Sequence, residues 1–245
     1  MGFGERRVKR ERQSRAAATR RTEGGGAGLD CIRARADYLL GVMSLTAPAD
    51  GSLLEKACLR FDAENARDPN TEDWQGVAHP RELLYAQRLT DWVLKLKTDA
   101  SPALRLAARC QHLCRWMIPR ATYPMNRGGY LRWRADLKKF HADKAGEILR
   151  AVGWDEETVR QVQALNLKQN FPADPEAQTL EDALCLVFLQ FQFAELAGRL
   201  TDDKMIDALR KCWKKMSAAA KNEALQLALG PHEQEMLRRA LAGPG

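Results

Sequence analysis

The chain carries four histidines, and three stand where helical spacing turns them toward a core. His112 shares a face with Leu104, Ala108 and Arg115. His141 continues the row Leu137, Ala145, Ile148 and Val152, and His79 precedes Pro80 and heads the row Glu82, Ala86, Leu89, Val93 and Leu96. Asp182 aligns with Cys185, Leu189, Phe193 and Leu196. A buried ionisable side chain without a partner costs several kcal/mol. Three imidazoles and a carboxylate at the inner edge of four helices would meet that need by sharing a divalent metal ion. The metal would lower the pKa of a bound water, and Glu82 or Glu181 would orient or deprotonate it. Each residue also has a structural reading. His79 neighbours a helix start, Asp182 fits the third position of a capping box begun by Thr179, and His112 and His141 fit core histidines bonded to carbonyls.

Charge points to the same region. The 245 residues carry a net charge of +7, unevenly spread. Residues 1–42 hold ten basic and five acidic side chains, and residues 105–144 hold ten basic and two acidic, a net +8. The remainder is acidic. Within that segment Arg109 and Arg115 lie within a turn of His112, and Lys138 and Lys139 lie close to His141. Arginine forks onto phosphate oxygens and lysine supplies a point charge, so these four are the predicted phosphate-binding residues. Trp116, Tyr123, Tyr130 and Trp133 are interleaved with the cations and offer surfaces for base stacking.

The elements that must position these groups are helical. Ser52 to Asn65 reads as a first amphipathic helix, and Pro80 opens a second to about Lys97. Ser101-Pro102 starts a third to about Met117. Further helices are predicted over about Leu131 to Val152, Asp155 to Leu165, Thr179 to Leu200, 202–216 and 218–229. No run of alternating β-branched residues competes, so no strands are expected. The longest apolar run, Ala183 to Leu189, is far below the roughly 20 residues a membrane span needs. The predicted organisation is a flexible basic arm over 1–42, an all-α single-domain multi-helix bundle over 50–230, and a C-terminal tail over 231–245. Six cysteines without a CxxC pattern suit buried free thiols in a reducing, cytoplasmic setting. The arm lacks a secretory h-region, while an organellar presequence stays open, and Arg6 replaces the Ser or Thr of a myristoylation signal.

The order His79, LAARCQHLCRW, FHADKAGEIL and LEDALCLVFL resembles the HD-domain phosphohydrolase superfamily. That resemblance implies an HD-like helical bundle and metal-dependent phosphate-ester hydrolysis. The His-Asp pair of that superfamily reads Gln111-His112 here. The phrases RFDAENARDPN, HPRELLYAQRLTDWV, AARCQHLCRW, IPRATYP, GYLRWRADLKKFHADKAGEIL and TLEDALCLVFLQFQFAEL are similar to domain-of-unknown-function family 4202 over Leu53 to Leu227.

The sequence lacks a phosphate-binding glycine loop, a GxSxG elbow and a Cys–His nucleophile signature. Two readings follow. One is a divergent HD-type metal-dependent phosphohydrolase acting on a nucleotide or another phosphorylated small molecule. The other is a non-catalytic helical module that binds RNA through residues 105–144, or a metal-free scaffold.

Overall fold

The computed structural model describes residues 52–242, and the basic arm over 1–42 lies outside them. Ser52 caps the first helix, α1 (Leu53–Asn65), through a reciprocal capping box with Glu55, which satisfies two backbone donors at once. A two-stranded antiparallel hairpin follows, β1 (Thr71–Trp74) and β2 (Val77–Pro80), with Glu72 opposite His79. The expectation of no strands is therefore corrected. Gln75 and Gly76 both take positive φ, as a two-residue hairpin turn requires, and four-residue strands are too short to show alternation. Arg88 holds the hairpin down. It pairs with Glu72 at 2.5 Å, and its guanidinium lies 4.5 Å from the Trp74 ring centroid and 4.1 Å from that of Phe191.

Helices α2 (Arg81–Leu96) and α3 (Pro102–Cys110) come next. Helix α3 stops seven residues before the predicted end. Residues 111–114 turn, with Cys114 left-handed at φ 54°, and a short 3₁₀ turn covers Arg115–Met117. His112 thus sits in a turn rather than on a helical stripe. Helix α4 (Arg127–Val152) begins earlier than predicted, capped by Asn126, and takes in Gly128 and Gly129. Gly129 is needed there, because a Cβ would stand 2.0 Å from the Pro124 carbonyl oxygen. Helix α4 packs along α5 (Glu156–Leu167).

Asp174 caps α6 (Pro175–Val187). The capping box predicted from Thr179 is corrected accordingly: Thr179 lies inside the helix and its hydroxyl donates to the Pro175 carbonyl at 2.9 Å. A wide π turn over Phe188–Gln192 separates α6 from α7 (Phe193–Ala197), and Trp92 Nε1 donates to Gln190 there at 2.8 Å. Helices α8 (Asp202–Lys215) and α9 (Ala218–Leu225) follow. The expected tail beyond 230 is instead helix α10 (Pro231–Leu241), which buries Met236, Leu237 and Ala240 and packs on α8.

The described residues form an all-helical domain with one small hairpin. Helix α2 lies between α3 and α6, and α1 closes over α3 and α4. Phe61, Leu89, Leu104, Leu106, Leu149 and Leu186 are fully buried between them, each worth about 1.5–3 kcal/mol of transfer free energy. The five described cysteines are free thiols. No helix among the described residues is long and apolar enough to cross a membrane.

Candidate functional site

The turn after α3 carries His112 onto the first turn of α2. Its ring stacks on Tyr85 with centroids 4.0 Å apart and planes 9° apart. Nδ1 lies 3.1 Å from Glu82 Oε2, and Nε2 lies 3.1 Å from Arg115 Nη1. A guanidinium only donates, so Nε2 must accept, and the proton of the neutral ring sits on Nδ1, donating to Glu82. Burial holds His112 well below the usual imidazole range, helped by Arg115, Arg134 and Lys168. Burial also pushes the Glu82 carboxyl up to about 7, against the pull of Arg115 and Arg81. The Glu82 amide donates to Asp68 at 3.1 Å, which fixes the start of α2. Arg115 lies 5.0 Å from the Trp133 ring centroid, and Trp133 is itself anchored to the Ile118 carbonyl at 2.9 Å.

His141 comes from α4. Its ring centroid is 5.8 Å from that of His112. It is buried and bonds to the Gln111 backbone, while Nε2 has no partner among the described residues. The contact is therefore an Nδ1–H donating to a carbonyl, and Nε2 presents a lone pair. Burial, then the neighbouring His112 and Arg115, pushes its pKa down to about 2.

A second group lies beside this pair. Both oxygens of the buried Glu181 are held, Oε2 by Lys168 at the end of α5 and Oε1 by Lys215 in the last turn of α8 at 3.1 Å. The two ammonium groups keep the Glu181 carboxyl below its ordinary range despite burial. Lys168 reaches it as the left-handed C-cap of α5, φ 58°, where the Lys168 and Gln169 amides close the last turn onto Leu165 and Ala164. On α4, Arg134 and Lys138 stand one turn apart. Lys138 is lowered by burial, then by Lys168 and Arg134, with Glu181 opposing.

The predicted metal ligands do not come together as one donor set. His112 and His141 adjoin, but the His112 lone pair receives Arg115. Asp182 Oδ1 accepts from the Ser217 amide at 2.8 Å and from Gln178 at 2.9 Å, which ties α6 to the start of α9. His79 sits on β2 in register with Glu72. Among the described residues no three His, Cys, Asp or Glu side chains are arranged to hold a metal ion. The residues present do not fit the divalent ion that the HD resemblance implies.

Two of the predicted phosphate ligands are engaged elsewhere. Arg109 is buried and grips Asp62 with two bonds of 2.6 and 2.5 Å, joining α3 to α1. Lys139 is exposed and pairs with Asp143 one turn along α4 at 2.5 Å. Arg115 and Lys138 stand at the site. Glu181, expected as a base, is an ion-paired carboxylate held deprotonated.

A protein-family model, Domain of unknown function (DUF4202), matches residues 55–237. The chain belongs to this family. Comparison with curated proteins and with solved structures gives no match. The DUF4202 region contains every residue of the site, from Glu82 on α2 to Lys215 on α8. Sequence reasoning missed Tyr85, Lys168 and Lys215. Single lysines at helix ends, outside the basic segment, carry no local signal, and a tyrosine on an apolar stripe reads as core.

Proposed function

We propose that the protein is a phosphohydrolase acting on a nucleotide or another phosphate ester. One observation carries the reading: a neutral His112, held as the Nδ1–H tautomer between Arg115 at Nε2 and Glu82 at Nδ1, stands among cations. Such a dyad has its base face at Nε2, and a carboxylate behind it stabilises the imidazolium that forms on proton abstraction. Arg115 occupies that face in the free protein. An incoming phosphate competes for the guanidinium and forms charge-assisted bonds with it, which uncovers Nε2 to take a proton from a water that attacks phosphorus; the P–O ester bond breaks, and the imidazolium returns the proton to the leaving alcohol oxygen. Arg115 and Lys138 then oppose the charge that builds on the phosphoryl oxygens. Glu82, ionised above about pH 7, retains the Nδ1 proton in its hydrogen bond and orients the ring. No step requires a metal ion.

The test is phosphate release from a panel of phosphate esters by wild type and His112→Ala. Turnover of at least one ester that falls by about 10²-fold or more in the variant supports the reading. No turnover across the panel, or turnover indifferent to His112, overturns it.

A binding role for RNA has one observation in its favour. Tyr130 is 42% exposed on α4 with the Arg134 guanidinium 5.9 Å from its ring centroid, and cations beside open aromatic faces suit nucleic acid. Binding that weakens steeply with salt while His112→Ala leaves it unchanged would favour that role.

A further inference from the structure

Three lysines gather about the carboxylate of Glu181, with Arg134 next to one of them. Lys168 and Lys215 arrive from α5 and α8 on the two oxygens of Glu181, and Lys138 on α4 feels the charges of all three and of Arg134 one turn away. The cluster has a net charge of +3, apart from the Arg115–Glu82 pair. Proteins disperse like charges unless something offsets them, and Glu181 offsets only one. Lys168 is placed there by the left-handed cap that ends α5, so its ammonium meets Glu181 from the end of one helix while Lys215 meets it from the last turn of another. A phosphate monoester carries about −1.5 to −2 at neutral pH. Arg115 and one further cation already match it, so most of the cluster is left over.

We propose that Lys168 and Lys215 bind a second phosphoryl group, so that the ligand is a diphosphate or longer polyphosphate ester. Glu181 stands in for that group in the free protein. The two lysines exchange a shared carboxylate for the ligand's oxygens, and Glu181 keeps them in place until it arrives. This rests on the reading of the site as one for phosphate esters, but binding is measured apart from turnover.

The experiment is calorimetric titration of the full chain with inorganic phosphate and with methylenediphosphonate, whose P–C–P bridge resists hydrolysis, at constant ionic strength. The diphosphonate is expected to bind about tenfold or more tightly than phosphate, given two extra charge-assisted contacts. Lys215→Met is expected to remove most of that gap and leave phosphate affinity within about twofold, while Lys215→Arg restores the gap. Lys215 is half exposed, and thermal melting confirms that its variants fold. Lys139→Met, on the same helix as Lys138 but paired to Asp143, leaves the gap intact. Equal affinity for the two ligands, binding of neither, a gap that survives Lys215→Met, or an equal loss in Lys139→Met would each overturn the proposal. A gap that vanishes in Lys215→Met upholds it even where no ester is hydrolysed.

Discussion

Arg115 Nη1 lies 3.1 Å from His112 Nε2, and this one contact decides which nitrogen of the ring carries the proton. It also keeps a cation against an imidazole that burial already holds neutral. Removing the guanidinium with Arg115→Met takes away the largest charge opposing protonation of His112. Its pKa is expected to rise, read by NMR titration of the ring. The same variant loses a charge-assisted phosphate contact, so KM for a phosphate ester is expected to rise about 10- to 100-fold. Arg115→Lys recovers only part, because an ammonium lacks the fork. An unchanged KM in Arg115→Met would remove Arg115 from the binding site.

Glu82 predicts a pH signature in stability. Its pKa is near 7 in the folded protein and 4.5 ordinarily. Between those values the folded protein holds a proton that the unfolded chain has released, so Glu82 costs stability as pH rises through the window, up to about 3 kcal/mol. Glu82→Gln keeps an acceptor for His112 Nδ1–H and abolishes the cost. The variant is expected to melt higher than wild type at pH 8, with the difference gone near pH 4.5. His112 and His141 act in the opposite sense. Their folded pKa values are depressed, so the stability they contribute is present above pH 6.5 and lost as pH falls below it. From pH 6.5 to 4.5 wild type therefore loses stability, and Glu82→Gln loses it more steeply.

The same carboxyl sets the rate profile. Activity is expected to rise with pH through about 7 as Glu82 ionises. Glu82→Gln should lower kcat by about 10²- to 10⁴-fold and flatten the profile. A profile that keeps its rise near pH 7 in Glu82→Gln would assign the titration to another group.

Arg109 is predicted to act on stability alone. Its buried pair with Asp62 means that Arg109→Met leaves an uncompensated carboxylate, at a cost of about 3–5 kcal/mol. The double variant Arg109→Met/Asp62→Leu is expected to regain most of this in chemical denaturation. Affinity for phosphate should stay at the wild-type value in the folded double variant, and a matching loss of affinity would return Arg109 to the site.

The elements were legible where local chemistry is strong. Ser52, Ser101-Pro102 and Gly153 mark helix ends by capping and by left-handed freedom, and the structure places ends there. The end of α3 was not legible, because a left-handed Cys114 leaves no trace in an otherwise helical run. Its consequence is large, since that turn is what carries His112 onto Glu82. The basic segment located the site but not its members. Arg109 and Lys139 sit as close in sequence to the two histidines as Arg115 and Lys138 do, yet Asp62 and Asp143 hold them elsewhere. Which cations meet across α4, α5 and α8 depends on packing between elements, and no spacing along one helix encodes that.

¹⁵N NMR of the His112 ring tests the tautomer and its phosphate sensitivity directly and needs no knowledge of the substrate. The ring is expected to be neutral at pH 7 with the proton on Nδ1, and its Nε2 resonance to move when inorganic phosphate is added and draws Arg115 away. A proton on Nε2, a doubly protonated ring at pH 7, or an Nε2 resonance indifferent to phosphate would contradict the role given to His112.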